Sequence, residues 1–218
     1  MPGTAIRYTW NQPGKKGWLS EMKTILLFLT FGVTFLPQSH SADVSWDQEF
    51  LFEAPPAELH PGWKSLGNPA EEIKDGTLEI QSATDGGSYW LFEGDPESWD
   101  AEEPTTVEFR ARVANVDDGA KAGAEIDIKN NNFMFIFYLT NTEFKTFRIV
   151  LDHNQAAVYD MESPGSPQII EGLRLERDIH PDSVLHPNSI GFGDYSSEIG
   201  GSSQWKFLRW TNKGAFNP

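Results

Sequence analysis

The sequence predicts an all-β protein made of two antiparallel sheets packed face to face, and three observations carry that prediction. Between residues 43 and 218, no stretch of about ten residues or more sets apolar side chains every three to four positions between two caps. No sizeable amphipathic helix is therefore expected. About ten shorter runs instead read as strands, several of them alternating apolar and polar residues, the period of a strand with one face turned inward. These runs recur about every eight to fifteen residues with Gly, Asp, Asn and Pro between them, the spacing of strands joined by turns rather than by crossover helices.

The first candidate strands are residues 45–53, 77–81 and 89–92. Residues 106–113 alternate cleanly, with Val107, Phe109, Ala111 and Val113 on one side and Glu108, Arg110 and Arg112 on the other. The same rule separates Ala124, Ile126 and Ile128 from Glu125, Asp127 and Lys129. Residues 133–140 are apolar on both faces, which predicts a strand covered on each side. Phe147, Ile149 and Leu151 mark the next strand, followed by 157–161, 189–193 and 204–211. Residues 169–178 suit a short helix or a strand, and 93–104, with Asp95-Pro96 and Glu103-Pro104, reads as an acidic surface loop. A single domain spanning 43–218 in jelly-roll form is the expected architecture.

Composition narrows the chemistry. With 13% aromatic and 39% hydrophobic residues, the chain has apolar area enough to fold, unlike a disordered one. With no cysteine, disulfides, thiolate metal sites and a cysteine nucleophile are all excluded. The net charge is −15, and residues 1–42 hold four of the 17 basic and one of the 32 acidic residues, so the remainder stands at −18. That charge repels phosphate backbones and anionic lipid, and no nucleic-acid partner is expected.

The N-terminus carries an address. Met22 and Lys23 precede a mostly apolar run of twelve residues, 25–36, which ends at Pro37 and a small-residue stretch up to Ala42. This is the layout of a secretory signal peptide over 22–42. The run falls short of the roughly twenty residues that span a bilayer, so no permanent membrane anchor is expected. Residues 1–21 read as an extension upstream of the true start at Met22, and the mature chain as secreted or periplasmic.

A resemblance adds to this reading. Ile190-Gly191-Phe192-Gly193-Asp194-Tyr195 followed by Gly200-Gly201-Ser202-Ser203 and Trp205-Lys206-Phe207-Leu208-Arg209-Trp210 resembles the last two strands of concanavalin A-like lectin/glucanase (LamG-like) domains of exported bacterial proteins. Trp63 to Gly67 with Asp75-Gly76-Thr77-Leu78-Glu79-Ile80 resembles their first strands, and Phe147-Arg148-Ile149-Val150 with Val158-Tyr159 their middle hairpin. The resemblance implies a curved double sheet whose members bind or cleave glycans or bind protein.

Glu125-Ile126-Asp127-Ile128 also resembles the catalytic strand of retaining family-16 endoglucanases, in which a nucleophilic glutamate, an aspartate and an acid/base glutamate follow one another on one face. Glu125 and Asp127 match the first two positions. The third is Lys129 or Asn130, and neither protonates a leaving group as a carboxylic acid does. The alternative for Glu125, Asp127 and Lys129 is a solvated polar face paired with Glu108, Arg110 and Arg112 of another strand.

If one sheet binds a glycan, the expected surface carries Glu125 and Asp127, with Tyr138 and Arg148 from neighbouring strands. Tyr89, Trp90, Tyr195 and Trp205 are further stacking candidates, with Tyr89, Tyr138 and Tyr195 expected at the surface. Phe109, Phe133, Phe135, Phe137, Phe147, Phe192, Phe207 and Trp210 are assigned to packing. His60, His153, His180 and His186 form no zinc pair. No cofactor is called for, and calcium is the metal that the oxygen ligands at Asp117, Asp118, Asp194 and Glu198 would suit, Asp194 foremost. The expected function is non-catalytic binding of a carbohydrate or an envelope protein. The alternatives are a glycan hydrolase or lyase and a structural envelope protein.

Overall fold

A computed structural model describes residues 44–67, 70–81, 88–93, 99–116, 124–163, 165–174, 188–194 and 201–218, all within one compact unit, Ser39–Pro218. The expected extension 1–21 and signal peptide 22–42 lie outside the described residues, as do Asp117, Asp118, His180, His186, Tyr195 and Glu198.

Fourteen strands and one four-residue helix make up the described chain. In order they are β1 (Gln48–Leu51), α1 (Pro56–Leu59), β2 (Trp63–Leu66), β3 (Ala70–Ile73), β4 (Leu78–Gln81), β5 (Ser88–Glu93) and β6 (Thr105–Val116). They continue with β7 (Ala124–Lys129), β8 (Phe133–Tyr138), β9 (Lys145–Asp152), β10 (Gln155–Asp160), β11 (Gln168–Glu171), β12 (Leu173–Arg174), β13 (Ser189–Asp194) and β14 (Gly201–Thr211). All pairings are antiparallel. An eight-stranded sheet runs β11-β10-β9-β6-β14-β4-β3, with β1 also on β14, and a six-stranded sheet runs β12-β8-β7-β13-β5-β2. The fold is an all-β, two-sheet antiparallel jelly-roll sandwich. Residues 169–178 resolve into strand where described, as β11 and β12, and 175–178 lie outside the described residues.

The core lies between the sheets, where the inward positions of each strand meet. Val107, Phe109, Ala111 and Val113 of β6 face Ala124, Ile126 and Ile128 of β7 in one buried cluster, as alternation demands. Aromatic rings fill its centre: Phe192 lies 4.7 Å from Trp205, and Trp63 and Trp99 pack edge-on against Trp210. Each such ring removes a large apolar area from water, which favours folding in a chain that has no cysteine for disulfides.

Several expectations are corrected. The segment 93–104 is not merely a surface loop: Trp99 is fully buried, and Asn188 ties it down by donating to Trp99 O (3.1 Å) and accepting from Ala101 N (2.9 Å). Tyr89, Trp90 and Trp205 are buried and offer no stacking plane to solvent. Residues 133–138 are covered on one face only, since Phe135 and Phe137 are buried while Met134 and Ile136 are half-buried and Tyr138 is exposed. Phe207 is half-buried on the outer face, under the Arg209 guanidinium at 5.1 Å from its ring. A register shift between Trp205 and Phe207 adds one residue to the β14 side of its pairing with β6. That reverses the alternation, so Leu208 and Trp210 point inward and Phe207 outward.

Candidate functional site

The outer face of the six-stranded sheet holds the candidate site. Residues directly opposite one another in antiparallel strands project to the same side. Tyr138, Glu125, Gly193 and Tyr89 therefore form one row across β8, β7, β13 and β5, and Ile136, Asp127, Gly191 and Leu91 form the next. Their parity is opposite to that of Ile126 and Phe192, which fill the core, so these rows face away from it. Three of the four residues expected for a sheet-borne glycan site, Glu125, Asp127 and Tyr138, do come together here.

The fourth does not. Arg148 lies on β9 of the eight-stranded sheet, where its Nε donates to Glu108 Oε2 at 2.8 Å and its Nη2 sits 2.7 Å from the same oxygen. β9 borders β6 and β10, neither of which belongs to the sheet of Glu125. For the same reason Glu125, Asp127 and Lys129 cannot pair with Glu108, Arg110 and Arg112, which face outward from the opposite side of the sandwich. Nor is the face of β7 simply solvated: Glu125 is 4% exposed, Asp127 3% and Lys129 8%.

Glycine makes room for this arrangement. A Cβ at Gly191 would stand 2.1 Å from Tyr89 Oη and 2.3 Å from its Cζ, so the phenol lies across the glycine, toward Asp127 on the next strand. Burial pushes the Asp127 carboxyl above its ordinary pKa, while the Lys129 charge and hydrogen bonds from Tyr89 and Lys129 pull the other way. Lys129 Nζ lies 3.5 Å from Asp127 Oδ2, a loose ion pair. The other oxygen, Oδ1, is buried and meets no donor in good hydrogen-bonding geometry among the described residues. Tyr138 is 56% exposed, and its pKa is raised by partial burial and then by the negative charges of Glu125 and Asp127.

The glucanase-like pattern stops at its third position. Lys129 is a cation bound to Asp127, and the Asn130 side-chain oxygen accepts from the Asn132 and Phe133 amides (2.9 and 2.6 Å) to close the β7–β8 hairpin. Neither group can act as a carboxylic acid. Asp194 ends β13 opposite Ser88 and Ala124, and its side chain lies outside the described part. Among the described residues no cluster of three or more His, Asp or Glu side chains is arranged to hold a metal ion. Sequence reasoning offered Tyr89 as an exposed stacking ring; the structure places it on this face but buried, lying across Gly191.

No protein-family model and no curated protein sequence matches the chain. Solved structures with a similar backbone include the carbohydrate esterase vb_24B_21 from Shiga toxin-encoding bacteriophage phi24B, at 9% identity over 76% of this chain and 97% of that one (TM-score 0.49). The carbohydrate recognition domain of Emp46p is similar at 10% identity, covering 79% of this chain and 100% of its own (TM-score 0.47). Lectin I-B4 from Griffonia simplicifolia follows at 11%, 75% and 98% (TM-score 0.45). At such identities the similarity concerns the path of the backbone and does not extend to the side chains of the site.

Proposed function

We propose that the protein is an exported, lectin-like module that binds a glycan without cleaving it, on the outer face of the six-stranded sheet. The observation that carries this reading is the pairing of an exposed aromatic ring, Tyr138, with two carboxylates, Glu125 and Asp127, that the sheet holds beside it. Tyrosine offers a plane for the apolar face of a pyranose ring, and carboxylate oxygens accept hydrogen bonds from sugar hydroxyls. The lysine at the position of the third glucanase carboxylate argues against retaining hydrolysis. Export through the 22–42 segment and kinship with LamG-like domains belong to the same proposal.

The test is a glycan array probed with the purified protein, followed by titration of each hit against Asp127→Asn and Tyr138→Ala. Each substitution is expected to weaken binding by about tenfold or more. Unchanged affinity in both variants overturns this site, and the absence of any glycan hit overturns the function in favour of an envelope-protein partner. Repeating the titration with added calcium and with a chelator tests whether Asp194 serves a metal-dependent site.

A further inference from the structure

We propose that the cleft between β8 and β9 is a second subsite of this surface, fitted to a sugar unit that carries a carboxylate, with Lys145 as its cation. The inference rests on the glycan-binding reading above and specifies its ligand class.

The cleft opens where β8 runs out of neighbours. β12 pairs with β8 only at Phe133 and Met134, and no described strand continues along that edge. Leu139 N donates to Ala124 O (2.8 Å) and Phe133 O accepts from Asn130 N (3.0 Å), so the odd-numbered residues of this segment turn their backbone groups toward β7. By alternation, the N–H and C=O of Ile136 and Tyr138 point the other way, out of the open edge. Both residues line a cavity of about 370 Å³. That volume lies at the small end of the roughly 300–1,000 Å³ typical of ligand cavities, enough for a single sugar unit rather than a chain.

The lining decides the chemistry. Phe137 and Phe147, with ring centroids 5.0 Å apart, supply an aromatic wall, and Tyr138 the opening toward the carboxylate face. Thr140 and Gln168 add neutral polar groups, and among the described residues Lys145 is the one charged member of the lining. Lys145 Nζ lies 2.6 Å from Asp160 Oδ2, which is not part of the lining. Among the described residues, that contact engages one of the ammonium's three N–H groups, and the side chain remains 39% exposed. The hydrogen bond to Asp160 also raises the Lys145 pKa, so the ammonium is charged at every physiological pH. The loop between β8 and β9 is held in place by Asn141, whose amide donates to Ala111 O and Glu143 O at 2.8 Å each.

In a chain with a net charge of −15, a cavity whose described lining holds one cation and no carboxylate stands out. The two halves of the surface are complementary in kind: Glu125 and Asp127 accept, and Lys145 donates. Tyr138 belongs to both, opposite Glu125 in the sheet and in the wall of the cleft. A glycan crossing Tyr138 would present hydroxyls to the first half and an acidic group to the second.

The experiment prints oligosaccharides containing glucuronic, galacturonic or mannuronic acid beside their carboxyl-reduced forms, and probes them with wild-type protein, Lys145→Met and Lys145→Arg. The expected result is binding of at least one acidic member, with carboxyl reduction and Lys145→Met each weakening it about tenfold and Lys145→Arg retaining most of it. Equal binding of an acidic member and its reduced form, or wild-type affinity in Lys145→Met, overturns the subsite. If such hits are still lost in Tyr138→Ala, the glycan-binding reading stands while the subsite falls. If no member of the panel and no neutral glycan binds wild-type protein, both fall together.

Discussion

The two outer faces of the sandwich both carry buried charge, and they treat it differently. On the eight-stranded sheet, Tyr159, Arg148, Glu108, Arg209 and Glu49 stand opposite one another in a single row across five strands. Glu108 is 3% exposed, yet both its oxygens are answered: Oε2 by Arg148 and Oε1 by Arg209, whose Nε donates at 3.1 Å. Trp46 stacks near both guanidinium groups, 4.5 Å from that of Arg209 and 5.9 Å from that of Arg148. The C-terminal segment crosses the same face, with Tyr159 donating to Asn217 and Arg148 reaching Phe216 O.

On the six-stranded sheet Asp127 is buried as deeply, but its cation is at 3.5 Å and Oδ1 meets no donor in good geometry among the described residues. A carboxylate whose bonds are complete holds the sheet together. One held by a loose ion pair and by Tyr89 has its desolvation cost offset less completely.

This contrast is open to direct attack. The largest effect is expected from Glu108→Ala, which strands Arg148 in a buried position. It should cost about 3–5 kcal/mol in urea unfolding, with glycan affinity per folded molecule unchanged. Gly191→Ala should come next, because its Cβ would collide with the buried Tyr89 ring. A loss of about 1–3 kcal/mol is expected, with weakened glycan binding as Tyr89 is displaced beside Asp127. The pair Asp127→Asn with Lys129→Met removes both charges of the loose pair and should leave stability within about 1 kcal/mol of wild type while abolishing binding. A loss as large as that of Glu108→Ala would place Asp127 in the structural class and break the comparison.

The smallest effect is a pH dependence of opposite sign at different carboxylates, read from melting temperatures across about pH 3 to 7. Asp127 has a folded-state pKa above its ordinary 3.8, chiefly through burial, so the folded form keeps a proton that the unfolded form has lost. Its contribution to stability therefore falls as pH rises from 3.8 to that raised value. Asp160, hydrogen-bonded to Lys145, is lowered instead, so its contribution is present above 3.8 and is lost as pH falls through the lowered value. Asp47 behaves like Asp160: burial opposes its ionisation, but hydrogen bonds from Lys213, Thr211 and the Asn212 amide outweigh it. Asp127→Asn should remove the decline above 3.8 and Asp160→Asn part of the loss below it. The same slope in both variants and wild type would contradict these assignments.

The sequence by itself determined that the chain is made of strands, and which side of most strands is apolar. Phe109 and Ile126 are fully buried where alternation puts them, and the β9–β10 hairpin pairs Ile149 with Val158 as its pattern suggests. Alternation is a local property, written into successive side chains by the pleat of the strand. Ala70–Ile73, with no alternating pattern, gave no such signal and is a strand only through its pairing with β4. Tertiary structure alone decided which strands share a sheet, and so separated Arg148 from Glu125 and Asp127. It also decided where a bulge reverses the alternation, turning Phe207 out, and that Trp99 folds back into the core. The physical reason is the same in each case. Pairing between distant segments and the filling of a common interior depend on the whole chain at once, and no window of neighbouring residues encodes them.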